Sequence, residues 1–420
     1  MSVLNRLFGS DSSIVHDRAF QVLLFVNLSP PLGAALVSPL LDTLTGKYGV
    51  TEAQIGLVMT AFTAPSIVLI PVIGVLADRY GRKSVMLCGL LLFGIGGTAL
   101  AFTTDFRTVL FLRFVQGIGF GGLTPIIVAS IGDFYEGEAE ATAQGIRFAS
   151  SGLTLLLFPF LGGVLVALAW NAPFVVYALP FPAAVLLYHY FEEPLDVRTE
   201  RRAMTGIDDL LAFIRHRRAA ALLLGRSIPN FVYLSFLTYN SFIVVRGGGG
   251  TPEQAGLLVA VTSIAHALTA TQAGRVTAHF ASRFYPLTGA SIALGGGLAL
   301  LGAAPNFATV VFAGVAVGAG FGLSLSLYRS ILTGIAPPEI RGGIVSTGSS
   351  LGRVTSTLAP LALGTVVGLW RPVLGFTPAV RGAVIVAGVA SALCGVISLV
   401  VAYRAPPLAT ERTEPVSGDD

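Results

Sequence analysis

The 420-residue chain is 54% hydrophobic and only 11% charged, against about 25% charged residues in ordinary globular domains, and its mean hydropathy is +0.78. These values exclude a soluble multidomain protein, and a formal net charge of +4 is better read loop by loop than as a nucleic-acid footprint. Cys88 and Cys394 both fall in apolar runs, so neither a disulfide framework nor a CxxC metal or redox pair is expected, and no cofactor or metal is implied.

A spanning helix needs about 20 apolar residues. Runs bounded by Gly, Pro or charge predict twelve spans, at 19–41, 55–76, 84–103, 108–130, 143–167, 172–190, 219–245, 254–273, 284–304, 307–333, 343–368 and 382–403. Runs of this length satisfy their backbone in hydrocarbon only as helices, and the alternating ten-residue strands of a barrel are absent. The fold class is therefore an all-α membrane protein. Residues 1–18 form a tail, 19–190 six spans, 191–218 a central loop, 219–403 six more spans and 404–420 a second tail. Lys and Arg crowd the segments on one side, among them Arg79, Arg82, Lys83, Arg201, Arg202, Arg215, Arg217, Arg218 and Arg341. The opposite loops hold only Lys47, Arg107, Arg246, Arg371 and Arg381, so both termini are expected in the cytoplasm.

In chain order, span 1 carries Asn27 and Ser38, with Asp42 just past its expected end. The loop after span 2 reads Gly74-Val75-Leu76-Ala77-Asp78-Arg79-Tyr80-Gly81-Arg82-Lys83. Gly74 permits close helix approach and Gly81 a tight turn, while the charges can pair with one another and with helix ends. This string resembles the signature of the major facilitator superfamily, G-x-L-a-D-r-x-G-r-k, at every specified position and in the family's place between spans 2 and 3. The resemblance implies two pseudo-symmetric six-helix bundles and a charge latch of Gly74, Asp78, Arg79, Gly81 and Arg82. It also implies that the latch engages Asp133 and the start of span 11 in the outward-facing state.

Span 4 contains Arg113-Phe114-Val115-Gln116-Gly117, similar to that family's R-x-x-Q-G pattern. At about 100° per residue, Arg113, Gln116, Gly117, Phe120 and Thr124 share one face. A buried Arg113 would be held by Gln116 and backbone carbonyls, and the family resemblance gives it a part in proton transfer. Span 5 matches an antiporter signature partially: Gly145, Pro159, Gly162 and Gly163 agree, whereas Thr154 and Phe158 replace glycines. In the central loop Ile207, Leu210, Leu211 and Ile214 keep helical spacing, which reads either as a short helix on the membrane surface or as a solvated linker.

In the second half, Arg226, Asn230, Tyr233, Asn240 and Ser241 fall within one arc of span 7. Lipid does not tolerate such a face, so it is expected to look into a wet cavity, unless its groups bond across helix interfaces. Span 8 offers His266, a candidate proton carrier or a hydrogen-bonding packer. Span 10 offers Ser324 and Tyr328, with Arg329 near its inner end, where snorkelling is the simpler reading. Arg353, about ten residues into span 11, should sit near the midplane. Arg113, Arg147, Arg226, Arg329 and Arg353 thus lie inside spans while no Asp or Glu is expected there, so the cavity should favour anionic or neutral solutes over cations.

The halves repeat. TEAQIGL at Thr51–Leu57 recurs as TPEQAGL at Thr251–Leu257, Gly119-Phe120-Gly121 as Gly320-Phe321-Gly322, and Pro159 with Gly163 as Pro360 with Gly364. Offsets of 200 or 201 throughout argue for a duplicated six-helix unit, a transporter architecture. Two enzyme-like strings, GxGxxG at Gly117–Gly122 and GxSxG at Gly348–Gly352, lie inside predicted spans and lack the strand-turn-helix setting their chemistry requires. Both read as small-residue packing. No P-loop and no HExxH occur, so transport should be driven by a gradient.

The resulting expectation is a monomeric, non-enzymatic transporter in the plasma membrane, working by alternating access. It would couple to protons through Arg113, His266 or Asp42 and export drug-like organic compounds, with no nucleic-acid partner. The substrate cavity is expected at Asn27, Arg113, Gln116, Arg226, Asn230, Tyr233, Asn240, Ser324, Tyr328 and Arg353. Competing readings are proton-coupled uptake of an organic anion and, in a different class, a membrane sensor that has kept the fold.

Overall fold

The computed structural model describes residues 14–193, 207–337 and 340–406, with the side chains of Glu52, Pro71, Asp78, Ala141 and 207–209 outside the described set. Among the described residues every regular element is helical, and twelve helical segments are long and apolar enough to cross a membrane. Spans 1 to 6 run Arg18–Tyr48, Leu57–Tyr80, Arg82–Phe102, Phe106–Phe134, Gly137–Leu168 and Ala172–Tyr190. Spans 7 to 12 run Arg217–Gly247, Pro252–Ala278, Phe284–Ala303, Phe307–Ile335, Arg341–Leu374 and Phe376–Arg404. Side chains as apolar as Phe102, Leu168 and Val373 stand 88%, 78% and 85% exposed. Such side chains turned outward are what a hydrocarbon solvent favours.

The largest departure from the expected bounds is in span 1. It continues past Leu41 to Tyr48, as helix Arg18–Val26, helix Ser29–Ala35, a 3-10 turn Ser38–Leu40 and helix Leu41–Tyr48. Pro30, Pro31 and Pro39 break its regular hydrogen bonding, and its polar last turns hid the helix from a hydropathy reading. Asp42 is consequently inside span 1 rather than beyond it, which corrects the expectation that no acid lies within a span. Span 11 likewise continues beyond its expected end, through Trp370, Arg371 and Pro372 to Leu374.

The chain forms two compact units. The first comprises Met1–Glu200 and Asn240–Ala260, the second Arg201–Tyr239 and Val261–Asp420. Span 7 is therefore divided between them at Tyr239, and the polar arc read along it is divided too. In the first unit Phe20, Leu23, Met86, Leu90, Leu123, Ile127 and Phe191 form a buried cluster. In the second, Leu222, Leu223, Leu287, Leu327, Tyr328, Ile344 and Leu399 do so. The central-loop periodicity is realised as helix Ile207–Arg215, whose Phe213 joins that second cluster with Leu210 and Ile214 against it.

The duplication extends to individual contacts. Gly117 lies against the Phe62 carbonyl and Gly318 against the Thr262 carbonyl. Gly119 meets the Gly89 carbonyl and Phe93 amide, and Gly320 meets the Ala290 carbonyl and Leu294 amide. The GxGxxG string is thus helix packing of small residues. Helix starts repeat as well. Thr51 with Gln54 and Thr251 with Gln254 form matching caps, a Ser/Thr-x-x-Gln arrangement that satisfies free helix-end amides. Asp105 accepts from the Thr108 amide at 2.9 Å and hydroxyl at 2.7 Å, and Asn306 from those of Thr309, both at 3.0 Å.

Candidate functional site

Arg113 is fully buried in the first unit. Its Nε donates to the Val58 carbonyl at 3.1 Å, Nη2 to the Gly33 carbonyl at 2.8 Å, and Nη1 to Gln116 Oε1 at 2.6 Å and Tyr177 Oη at 3.4 Å. The Phe62 ring lies beneath the guanidinium, its centroid 4.5 Å from Cζ, a favourable cation–π placement. Helix geometry makes this nest. The ladder of span 1 is interrupted at Leu36–Val37, leaving the Gly33 carbonyl available, and Gly33 has no side chain to hold off Phe62. The expected pairing with Gln116 and carbonyls is present, whereas Phe62 and Tyr177 had no signal in the sequence. A guanidinium with its donors so occupied is a structural node more than an open anion receptor.

At the Arg82 end of this unit, Arg82 pairs with Asp133, joining the span 3 start to the span 4 end. Gly81 has φ +90°, a left-handed turn that favours glycine. A Cβ there would meet the Glu193 carboxylate, which also accepts from the Lys83 amide at 3.2 Å. Glu193 thus caps span 3 from the end of span 6, a long-range role that local sequence does not reveal. Arg79 lies near the Tyr80 ring. The Asp78 side chain lies outside the described residues. No described atom lies within 4 Å of a Cβ placed on Gly74, so the close approach expected there is not made in this conformation. Nearby, Asp17 caps span 1 through the Ala19 amide at 2.9 Å and accepts from the Tyr135 hydroxyl. Burial first, then the Asp17 hydrogen bond, pushes the Tyr135 phenol well above its usual range.

At the Asp42 end, six residues of spans 1 and 7 meet through four contacts. Asn240 donates to Ser38 Oγ at 2.7 Å and Ser241 to the Pro39 carbonyl at 2.9 Å. The Asp42 amide donates to Ser241 Oγ at 3.3 Å, and Arg246 pairs with the Asp42 carboxylate. Span 5 meets the start of span 8 here, Gly163 against Pro252 and Gly256 against Pro159. These are two of the residues that matched the antiporter signature. Asn27 bonds across spans 1 and 5, to the Arg147 carbonyl at 3.0 Å and the hydroxyls of Ser150 and Ser151 at 2.8 and 2.7 Å. Asn27 and Asn240 are therefore engaged in interhelical bonds, while Arg246, read from sequence as a loop residue, belongs to the Asp42 cluster.

The second unit holds the other expected residues. Gly225 faces the Tyr328 hydroxyl, bringing spans 7 and 10 together, and Arg226 and Arg329 follow one residue later on each helix, close enough to interact electrostatically. Span 11 is bound to span 7 by Thr355, which donates to the Ser227 carbonyl at 2.9 Å, and Gly352 packs on the Asn230 amide. Tyr233 stacks on Phe321 with ring centroids 4.4 Å apart, and His266 packs edge-on to both. Ser324 is buried and Arg353 half-buried. Among the described residues no group of three or more His, Cys, Asp or Glu is placed to hold a metal.

A family model described as Major Facilitator Superfamily matches residues 23–249, more than half of the chain. The chain is 35% identical over 156 residues to the bacillibactin exporter of Bacillus subtilis (strain 168), covering 36% of this chain and 39% of the exporter, so well under two thirds of that relative is spanned. It is 25% identical over 354 residues to the 3-(3-hydroxy-phenyl)propionate transporter of Escherichia coli (strain K12), covering 82% and 85% of the two chains. Among solved structures it shares its fold with a bacterial homolog of the human lysosomal transporter Spinster, at TM-score 0.74 and 17% identity over 94% of this chain and 96% of that one. It also shares it with a D-xylose-proton symporter, at TM-score 0.73 and 15% identity over 94% and 98%. Twelve spanning helices, the turn between spans 2 and 3 and the family match lead to one assignment: the chain belongs to the Major Facilitator Superfamily, as a multi-pass membrane transporter and not an enzyme.

Proposed function

We propose that this transporter exports small, drug-like organic compounds, anionic or neutral in preference to cationic, in exchange for protons by alternating access. In this reading it works as a monomer in the plasma membrane with both termini and the Arg82 end on the cytoplasmic side. The observation that carries the solute preference is Arg226, half-buried in span 7 beside Asn230 with Arg329 as its charged neighbour. Basic groups inside a membrane protein favour solutes that complement them. Two groups named for proton transfer are already engaged, Arg113 by carbonyls and His266 between Tyr233 and Phe321. Asp42 is the deepest described acid of the spans, six residues inside the end of span 1, and its ion pair with Arg246 would break on protonation. We therefore assign it the coupling proton. Export is supported by the bacillibactin exporter match and by the span 5 residues Pro159, Gly162 and Gly163.

Uptake of an organic anion with protons is the second reading, favoured by the long match to the propionate-derivative transporter. Proteoliposomes under an imposed pH gradient separate the two. With radiolabelled benzenesulfonate, which stays ionised, proton exchange predicts accumulation in vesicles acidic inside. Accumulation only in vesicles alkaline inside would overturn export and establish symport.

A further inference from the structure

Arg226 of span 7 and Arg329 of span 10 are like charges close enough to interact electrostatically, and no residue of spans 7, 10 or 11 is acidic. Arg226 lies nine residues after Arg217 and Arg329 six before Ile335, about 13 Å and 9 Å along their helices. Their proximity is imposed by packing, because the Gly225 contact with Tyr328 fixes the register of the two helices. On the other side, the aliphatic stem of Arg226 rests near Gly348 of span 11, and Asn230 follows one turn later on Gly352. Among the described residues no carboxylate pairs with either guanidinium. Two like charges that feel one another repel unless a counter-charge lies between them. Guanidinium forks match oxyanions in geometry as well as charge.

We propose that Arg226, Arg329 and Asn230 form a binding site for an oxyanion, the carboxylate, sulfonate or phosphate group of a small organic ligand or of a lipid headgroup. The site rests on the reading of this protein as a transporter of anionic solutes and deepens it. The two guanidiniums bracket the oxyanion, the Asn230 amide lies one turn further along the same helix, and the apolar remainder of the ligand lies along the spans.

The test uses the purified full-length protein in neutral detergent, with binding of benzenesulfonate followed by thermal shift and by equilibrium binding of the radiolabelled compound. Benzenesulfonate is expected to stabilise the protein, phenyltrimethylammonium is not, and Arg226→Gln or Arg329→Gln is expected to weaken benzenesulfonate binding at least tenfold. Because Arg329 is exposed, its variant keeps the test valid if Arg226→Gln folds poorly. A parallel arm compares nanodiscs of phosphatidylcholine with and without phosphatidylglycerol. Stabilisation by phosphatidylglycerol alone, lost in both variants, identifies the oxyanion as a lipid headgroup and upholds the site. Unchanged benzenesulfonate and phosphatidylglycerol responses in both variants, or equal stabilisation by phenyltrimethylammonium, would overturn it. No gradient enters these measurements, so a failure of proton exchange in proteoliposomes leaves them standing, and their failure leaves the exchange result standing.

Discussion

Arg113 in the first unit and Arg226 in the second are both arginines well inside a span, and their surroundings differ in kind. Arg113 is enclosed by two carbonyls, an amide oxygen, a phenol and an aromatic face. Arg226 has a second arginine as its charged neighbour. The repeat sharpens the contrast. At the 201-residue offset Arg113 corresponds to Gly314, and Arg329 corresponds to Val128. The glycine crossings that set helix spacing are therefore the same in both units, whereas the charges are not. Duplication built one scaffold twice, and each copy carries its own polar chemistry.

The equivalence of packing is broken or upheld most strongly at the crossings. Gly119→Val and Gly320→Val each force a side chain into neighbouring backbone, so both are expected to abolish folded, monodisperse protein to a similar extent. A tolerated substitution in one unit alone would show that the crossings are not equivalent. Next in size is Arg113→Ala. It strips donors from the Gly33 and Val58 carbonyls, at roughly 3 kcal/mol or more in total, read as a lower Tm in detergent. Arg226→Gln should leave Tm unchanged or raise it slightly, because it removes a repulsion.

Asp42→Asn is expected to change stability by less than about 1 kcal/mol, the usual range for partly exposed ion pairs. Its larger effect is on coupling: benzenesulfonate flux in proteoliposomes should persist but lose its response to an imposed pH gradient. The smallest effect distinguishes the two span caps. Hydrogen bonds from Thr108 hold the Asp105 carboxyl below its usual range, so this cap contributes above the ordinary carboxylate pKa of about 4 and is lost as pH falls below it. Asn306 does not titrate. Hydrogen exchange at low pH should therefore deprotect the Thr108 amide while the Thr309 amide keeps its protection.

Much of the fold was legible because hydrocarbon imposes a simple rule: long apolar runs must be helices. The repeat was legible because glycines at helix crossings cannot be exchanged for larger residues. Polar turns were harder to read. The end of span 1 carries Asp42, Thr43, Thr45 and Lys47, so its helix is invisible to hydropathy although it places the Asp42 carboxylate within the span. Of the candidate site, residues were easier to name than their partners. The pattern around Arg113 announced a buried arginine, but Tyr177 and Phe62 reach it from other spans. The arc on span 7 read as one face, yet Asn240 and Ser241 bond to span 1 while Arg226 and Asn230 lie with spans 10 and 11. Helical wheels give direction around one helix and say nothing about which neighbour is met at each depth.

Solute counterflow bears directly on anion transport through the Arg226 site, since it requires transport and a solute site but no ion gradient. Proteoliposomes loaded with unlabelled benzenesulfonate are diluted into a trace of the radiolabelled compound. A transient overshoot of label is expected for the parent protein, and its loss in Arg226→Gln protein of unchanged Tm. Absence of any overshoot with well-folded parent protein, or an undiminished overshoot in the variant, would contradict anion transport through this site.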